Sequence, residues 1–308
     1  MRTLAAGVVA IVLAAGTADA FALRTVRIDD GVYMLAAGSA PTGDEQFHRA
    51  NAAFVVGPRG VVVIDTGMSF AEGARIIAAV RTVTPRPIRL VILTQPEQSS
   101  IFGAAAFQEM GIPVLMHKDA AALMASRCDA CLRNLKTSLG DDAMAGTRVV
   151  EPDRLVSGNA AIDVIGRRLR VVAPPWSSAP GALAVLDERT ATLFAGNIVS
   201  IRAVPDTRDA DPRGWPPALA ILAATRCRHL VPSYGAIGRC ADIDTFHRYF
   251  IDLEDRVASL LREGTSLAEL AERCDLPGYS SWERYDELHR ANASRAYLRL
   301  EKAALDLQ

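Results

Sequence analysis

The sequence predicts an α/β (α+β) fold in which mixed sheets are covered by helices. Three observations predict it. Short apolar runs alternate with helical periodicities along most of the chain. Several runs are joined by turn clusters such as Gly57-Pro58-Arg59-Gly60 and Asp187-Glu188-Arg189, which punctuate hairpins. From Asp242 onward the pattern becomes wholly helical.

The elements follow in order. Val26–Ile28 and Val32–Leu35 read as strands about Asp29-Asp30-Gly31, and Ala52–Val56 and Val61–Ile64 as a hairpin whose second strand ends at Asp65-Thr66-Gly67. Ser69 is placed to cap a helix carrying Phe70, Ile76, Ile77 and Val80 on one side. The pattern then predicts a strand over 88–93, a loop over 94–100, a helix over 102–110, a strand over 113–116 and a helix over 118–139. In the second half, strands are predicted over 160–165 and 169–172, around Gly166-Arg167-Arg168, and over 183–186 and 192–194. A helix over 216–224 and a short strand over 229–232 complete this part. In the tail, Phe246, Tyr249, Phe250, Leu253, Val257, Leu260 and Leu261 recur at spacings of three and four, with Gly264 as the stop. Ser266 with Glu269, and Ser280 with Glu283, have capping-box spacing. Trp282, Tyr285, Leu288 and Tyr297 mark a final helix. The tail reads as a helical cap on the main domain, with a partner-binding arm as the alternative.

Composition excludes whole classes. At 308 residues the chain is about two average domains, or one large α/β domain with an appendage. Hydrophobic residues at 50% and charged residues at 22% supply a packed core and exclude disorder. Lys+Arg at 34 against Asp+Glu at 35 leaves a net charge of -1, so a nucleic-acid binder has no electrostatic footprint. Aromatics at 6% also argue against base-stacking platforms.

Met1-Arg2, the uncharged run Leu4–Ala15 and the small residues of Ala18-Asp19-Ala20 have the form of a secretory signal peptide over residues 1–20. An N-terminal anchor is the alternative, but the run is short and no second apolar segment of about 20 residues follows. The expectation is an exported protein, periplasmic or secreted, without a stable membrane span after cleavage. Export makes the five cysteines, Cys128, Cys131, Cys227, Cys240 and Cys274, candidates for pairing. The Cys128-Asp129-Ala130-Cys131 spacing is expected to form a local disulfide, with a redox pair or half a zinc site as alternatives. Cys227 and Cys240 lack that form, and an odd number leaves at least one thiol unpaired.

Motifs in a fixed order then carry a family resemblance. Val63-Ile64-Asp65-Thr66-Gly67, Val91-Ile92-Leu93-Thr94, Ile101-Phe102-Gly103, Pro180-Gly181, Leu193-Phe194-Ala195-Gly196 and Val231-Pro232 before Gly235 resemble the metallo-β-lactamase superfamily. The resemblance implies an αββα sandwich over residues 21–240 with a C-terminal helical extension over 241–308. Cys128-Asp129-Ala130-Cys131-Leu132, the 204–215 stretch and the tail are similar to a periplasmic branch, the quinoprotein relay system zinc metallohydrolases.

In that family zinc is held by a loop of form Thr-His-x-His-x-Asp-His and by later His and Asp residues, and the metal acidifies a bound water. Here the first loop reads Thr94-Gln95-Pro96-Glu97-Gln98-Ser99-Ser100. The matching positions therefore hold Gln95, Glu97, Ser99 and Ser100, and the later ones hold Ser178, Asn197 and Tyr234. One carboxylate among them is a poor zinc site, so no zinc cofactor is expected. Ser99 and Asn197 remove two carboxylates that would cost several kcal/mol each if buried without a cation. Tyr234 and Trp176 are expected to fill the space a metal and its water would occupy. Asp65, which in the family braces the ligand loop, is retained.

The other polar residues offer few alternatives. His48, His117, His229, His247 and His289 show no ligand spacing. Of these, His48 lies in an early loop that could approach the pocket. Ser99, Ser100, Ser177 and Ser178 could converge, yet a nucleophilic serine needs a base and an orienting partner, with Glu97 or Asp65 the candidates. Arg202, Arg208 and Arg213 alternate with Asp206, Asp209 and Asp211, as an internally paired surface or as the rim of a partner or anionic-ligand site. The resulting expectation is a non-catalytic binding or accessory protein for a small molecule or periplasmic protein partner. The resemblance places it near quinoprotein dehydrogenases or sulfur oxidation. The rival is an active hydrolase with an atypical or metal-free site.

Overall fold

The computed structural model describes residues 23–36 and 49–306. The signal peptide expected over residues 1–20 and His48 lie outside the described residues.

The first half builds one seven-stranded sheet in chain order. Its strands are β1 (Arg24–Asp29), β2 (Val32–Ala36), β3 (Ala52–Gly57), β4 (Gly60–Ile64), β5 (Ile88–Ile92), β6 (Val114–His117) and β7 (Arg154–Val156). β1 to β4 pair antiparallel, and the expected Asp29-to-Val32 and Gly57-to-Gly60 turns close two hairpins. β4 to β7 pair parallel. Parallel neighbours need crossovers, supplied by α1 (Phe70–Val83), by α2 (Gln98–Ile101) with α3 (Ala104–Gln108), and by α4 (Lys118–Leu139). Ser69 caps α1 as expected, its Oγ accepting from the Glu72 N–H.

The second sheet has the order β12-β11-β10-β9-β8. It contains β8 (Ala160–Ile162), β9 (Leu169–Val172), β10 (Ala184–Asp187), β11 (Thr192–Gly196) and β12 (His229–Pro232). Only the β11–β12 pair is parallel, and α5 (Trp215–Ala223) crosses between them. Both ends of the β12 segment are tied by a disulfide between Cys227 and Cys240, with Cα atoms 5.3 Å apart.

Strand alternation explains the layers. Val62 and Ile64 of β4 face the second sheet and meet Leu169, Val171, Val185 and Phe194. Val61 and Val63 face the other way, onto Ile76 and Val80 of α1 and Phe107 of α3. A strand covered on both faces reads as a continuous apolar run, which is how β4 is written. The outer face of the second sheet, including Leu186, Leu193 and Leu230, packs on Trp215 and Leu219. The same core includes Phe246, Tyr249 and Leu253 of α6 (Asp242–Arg262), Leu270 of α7 (Leu267–Arg273), and Leu288 and Tyr297 of α8 (Tyr285–Leu305). The helical tail thus completes the fourth layer of an αββα sandwich. Trp215 and Phe250 rings lie 4.7 Å apart and anchor the junction of α5 with α6.

Four local expectations are corrected. The segment 94–100 is not all loop, because α2 begins at Gln98. The helix expected over 102–110 is broken at Gly103, where the backbones of α1 and α3 approach closely. A Cβ on Gly103 would lie 1.9 Å from the Thr66 carbonyl oxygen, and one on Gly73 would lie 2.2 Å from the Gly103 oxygen. Ser280 and Glu283 do not form a capping box. The Glu283 N–H donates to the Arg202 carbonyl (2.9 Å) and its carbonyl accepts from the Val204 N–H (2.9 Å), so tertiary pairing displaces the local cap. Cys128 and Cys131 are free thiols instead of a disulfide, and Cys274 is also free. Cys128 faces the core inside the 22-residue α4, and burial pushes its thiol up to about 12. Cys227 and Cys240 are the bonded pair.

The Gly73–Gly103 contact sets how close the site loop sits to α1. Gly103 has φ -69, so alanine there carries no backbone penalty and the cost is steric. Gly103→Ala is expected to lower unfolding free energy by about 1–3 kcal/mol in urea denaturation.

Candidate functional site

The strands β4, β5, β11 and β12 all end at one edge of the sandwich, and the residues just beyond them form the site. Asp65 follows β4 with φ 58, a left-handed conformation uncommon for a non-glycine residue. Its carboxylate clamps the next strand end. Oδ1 accepts from the Thr94 N–H at 2.8 Å and Oδ2 from Thr94 Oγ1 at 2.7 Å. The Thr66 N–H and hydroxyl both donate to the Ser100 carbonyl, at 2.9 and 2.7 Å, and so hold the end of the site loop. Asp65 is therefore a bracing residue whose two oxygens are used. Burial is the main cause that pushes its carboxyl up to about 7; the Thr94 bonds oppose this and Glu97 adds to it.

Beyond β5, the side chains are tied to one another. Gln95 is buried and its Nε2 donates to Ser100 Oγ (3.0 Å) and Ser233 Oγ (3.4 Å). Ser99 Oγ and the Tyr234 hydroxyl are 2.9 Å apart. Glu97 is half-buried and contacts residues just beyond the ends of β11 and β12. One carboxylate oxygen accepts from Asn197 Nδ2, and the other accepts from the Tyr234 hydroxyl at 3.4 Å. Burial pushes the Glu97 carboxyl above its ordinary range, while Arg284 and the Asn197 bond pull it back. Ser178 is buried at 3% exposure without a hydrogen-bond partner. The structure thus bonds Gln95, Ser100 and Ser233 in one group and Glu97, Ser99, Asn197 and Tyr234 in another.

Five buried polar atoms at these strand ends and the adjoining loops have no partner in the protein: Gln95 Oε1, Asn197 Oδ1, and the hydroxyls of Ser177, Ser178 and Ser200. Buried groups of this kind ordinarily find a partner, protein or otherwise.

One participant carries no sequence signal. Arg284 comes from the turn before α8 and lies over the Tyr234 ring, 4.8 Å from its centroid. Its guanidinium is held by both Glu287 oxygens at 3.0 and 3.2 Å, and its backbone is left-handed with φ 64. The bridge between Ala203 and Glu283 delivers it there. Trp176, in contrast, does not fill the site. It is 49% exposed, and its indole N–H donates to the Asp209 carbonyl at 2.7 Å. Of the two, Tyr234 is the buried one, at 7% exposure.

Catalytic zinc takes three protein donors drawn from His, Cys, Asp and Glu, plus an open position. Among the described residues no group of three such side chains is placed to hold a metal ion. The set gathered at this edge, two amides, hydroxyls, a phenol and one carboxylate already bonded on both oxygens, does not fit that requirement. His117 sits at a strand end with Nδ1 accepting from the Asp119 N–H. His229 pairs with Asp29, and His289 stacks on Tyr285 within the tail. None of the hydroxyls of Ser99, Ser100, Ser177 and Ser178 bonds a histidine.

Two measurements check this arrangement. Asn197→Asp would set a second carboxylate against Glu97. It is expected to lower stability by about 3–5 kcal/mol at pH 8 and by less at pH 5, where a shared proton relieves the repulsion, with no recovery on adding zinc. The folded pKa of Asp65 lies above its unfolded value, so its contribution is fully present below about pH 4 and is lost as pH rises through about 7. Denaturation of the wild type and of Asp65→Asn across that window should show the difference between them shifting in favour of the variant as pH rises.

Residues 46–234 match the family model of the metallo-beta-lactamase superfamily. A metallo-beta-lactamase from Pontibacter korlensis is 21% identical, with a TM-score of 0.60 over 72% of this chain and 95% of its own. The metallo-beta-lactamase FIM-1 from Pseudomonas aeruginosa in the mono-zinc form is 16% identical, with a TM-score of 0.60 over 73% of this chain and 93% of that one. A metallo-beta-lactamase from Hirschia baltica is 17% identical, with a TM-score of 0.59 over 73% of this chain and 95% of its own. No curated protein sequence matches. With two facing sheets between helical layers and a family match across well over half its length, the chain belongs to the metallo-beta-lactamase superfamily.

Proposed function

We propose that this chain is an exported, non-catalytic member of the superfamily whose metal centre has been replaced by a hydrogen-bonded cluster with a single carboxylate. It acts by binding a small polar molecule or a periplasmic protein partner, as an accessory to quinoprotein dehydrogenase or sulfur oxidation systems of the kind its sequence resembles. The observation that carries this reading is the Glu97 carboxylate. It is the one charged side chain among the seven positions where the family places metal ligands, and both its oxygens are engaged internally. The other six positions hold amides, serines and a phenol, which are weak donors for zinc. The Pseudomonas aeruginosa neighbour is described in a mono-zinc form, and the contrast with its donor requirement supports the reading.

The proposal also covers export. The leader form of residues 1–20 supports it, and the Cys227–Cys240 disulfide suits an oxidising compartment. No helix among the described residues is long and apolar enough to cross a membrane.

The rival reading, a metal-free hydrolase, rests on the unpartnered hydroxyls of Ser177 and Ser178. A serine nucleophile needs a base within hydrogen-bond reach, and neither hydroxyl has one. Purified protein assayed against lactones, thioesters and phosphodiesters, with and without added zinc, separates the two. The expected result is no turnover above background and no zinc-dependent rise in melting temperature. Zinc-stimulated turnover, or turnover lost in Ser178→Ala, would overturn the proposal.

A further inference from the structure

A second cavity lies between the mixed-charge loop and the helical tail. It has a volume of about 260 Å³ and shares no lining residue with the Glu97 cluster. Its apolar part is formed by Trp215, Phe250, Leu253 and Ala296. Thr207 and Asn292 form a polar corner, with the Thr207 hydroxyl donating to Asn292 Oδ1 at 2.7 Å. Three guanidinium groups reach the rim: Arg208 from the loop, and Arg295 and Arg299 from α8.

The charges at this rim are arranged unequally. Arg208 bonds Asp206 at 2.8 Å, Arg295 stands 3.8 Å from the same carboxylate, and Arg299 pairs with Glu254. At the rim three cations face the carboxylates of Asp206 and Glu254, and Glu97 of the neighbouring cluster also acts on Arg208. Arg295 and Arg299 are four residues apart on one helix face, a spacing at which like charges repel. Each guanidinium has five N–H donors in a planar fork, more than its partners at the rim use. Arg295 Nη1 reaches Asn292 Oδ1 and Thr207 Oγ1 only at 3.3 and 3.4 Å. An apolar interior with a surplus of guanidinium donors at its mouth selects an anion with an apolar body. The volume lies just under the ~300 Å³ at which drug-sized pockets begin, so one ring or a short chain fits.

We propose that this cleft between the 206–212 loop and α8 is a binding site for a small organic carboxylate, with the apolar body against Trp215 and Phe250 and the carboxylate at Arg208, Arg295 and Arg299. The C-terminal extension supplies one wall of the site, from Phe250 to Arg299, so it has a role in recognition as well as in packing. It answers the two readings of the mixed-charge loop. Arg208 is internally paired and also lines the rim of an anion site, Arg127 binds Asp209 at 2.6 Å behind it, and Arg213 does not line the cavity.

The test titrates the full chain with benzoate, hexanoate and indole-3-acetate by calorimetry, with tryptophan fluorescence as a second readout, and with benzamide as the neutral counterpart of benzoate. At least one carboxylate is expected to bind saturably, and benzoate at least tenfold more tightly than benzamide. Arg208→Gln and Arg295→Gln should each weaken the best carboxylate at least fivefold, while Arg213→Gln leaves it unchanged. Arg208 is exposed, so its replacement leaves folding intact, and thermal melts establish this for both variants. Absence of saturable binding by all three carboxylates overturns the proposal. Equal affinity for benzamide, or carboxylate binding that survives both replacements, overturns it as well.

Discussion

A carboxylate drawn out of water must be given hydrogen-bond donors or a cation, or it gives up its charge. At the site edge of this sandwich Glu97 meets that constraint with an amide and a phenol, and the rest of the pocket is arranged around it. Asn197 turns its Nδ2 toward Glu97, which leaves Oδ1 of the same amide as an unsatisfied acceptor. The Tyr234 hydroxyl is shared between Glu97 and Ser99, and its ring in turn seats the Arg284 guanidinium. A metal would have to compete with contacts already made.

The scaffold that gathers these groups is conservative in its physics. Strand ends converge because parallel strands separated by helices all finish on one side of their sheet. Asp65 locks the loop to β4 through Thr94, and the glycine contact between α1 and α3 lets that loop lie close to the first sheet. The tail has two consequences. Its apolar face covers the second sheet, and the turn before α8 threads through the Ala203–Glu283 bridge to deliver Arg284 over Tyr234. Where the same tail meets the loop after β11, it also lines the second cavity. The packing element is thus also a source of polar groups.

Much of this was legible in the residues. The continuous apolar run of β4, the Gly57-to-Gly60 turn, the Ser69 cap and the full span of α4 follow local rules, because hairpin turns, caps and periodicity act within a few positions. The Ser266–Glu269 capping box forms for the same reason. Distant pairings were not legible. The break at Gly103 is caused by α1 thirty residues away in sequence, and Ser280 loses its box because Glu283 pairs with a strand-like segment near Ala203. The Cys227–Cys240 bond spans a whole strand, whereas the nearer Cys128 and Cys131 sit along one helix with Cys128 turned into the core. Within the site, hydrogen bonds bring Gln95 to Ser100, and Glu97 to Asn197, Tyr234 and, through Tyr234, Ser99. Arg284 could not be read at all, since its place depends on a left-handed residue and a remote bridge.

Anomalous diffraction at the zinc absorption edge, from crystals grown with zinc in excess, bears most directly on whether this edge of the sandwich can hold a metal. A pocket whose one carboxylate is already bonded on both oxygens should show no anomalous peak within bonding distance of Glu97, Asn197 or Tyr234, with the Glu97 carboxylate still held by both neighbours. A strong peak ligated by Glu97 and its neighbours would contradict a metal-free pocket.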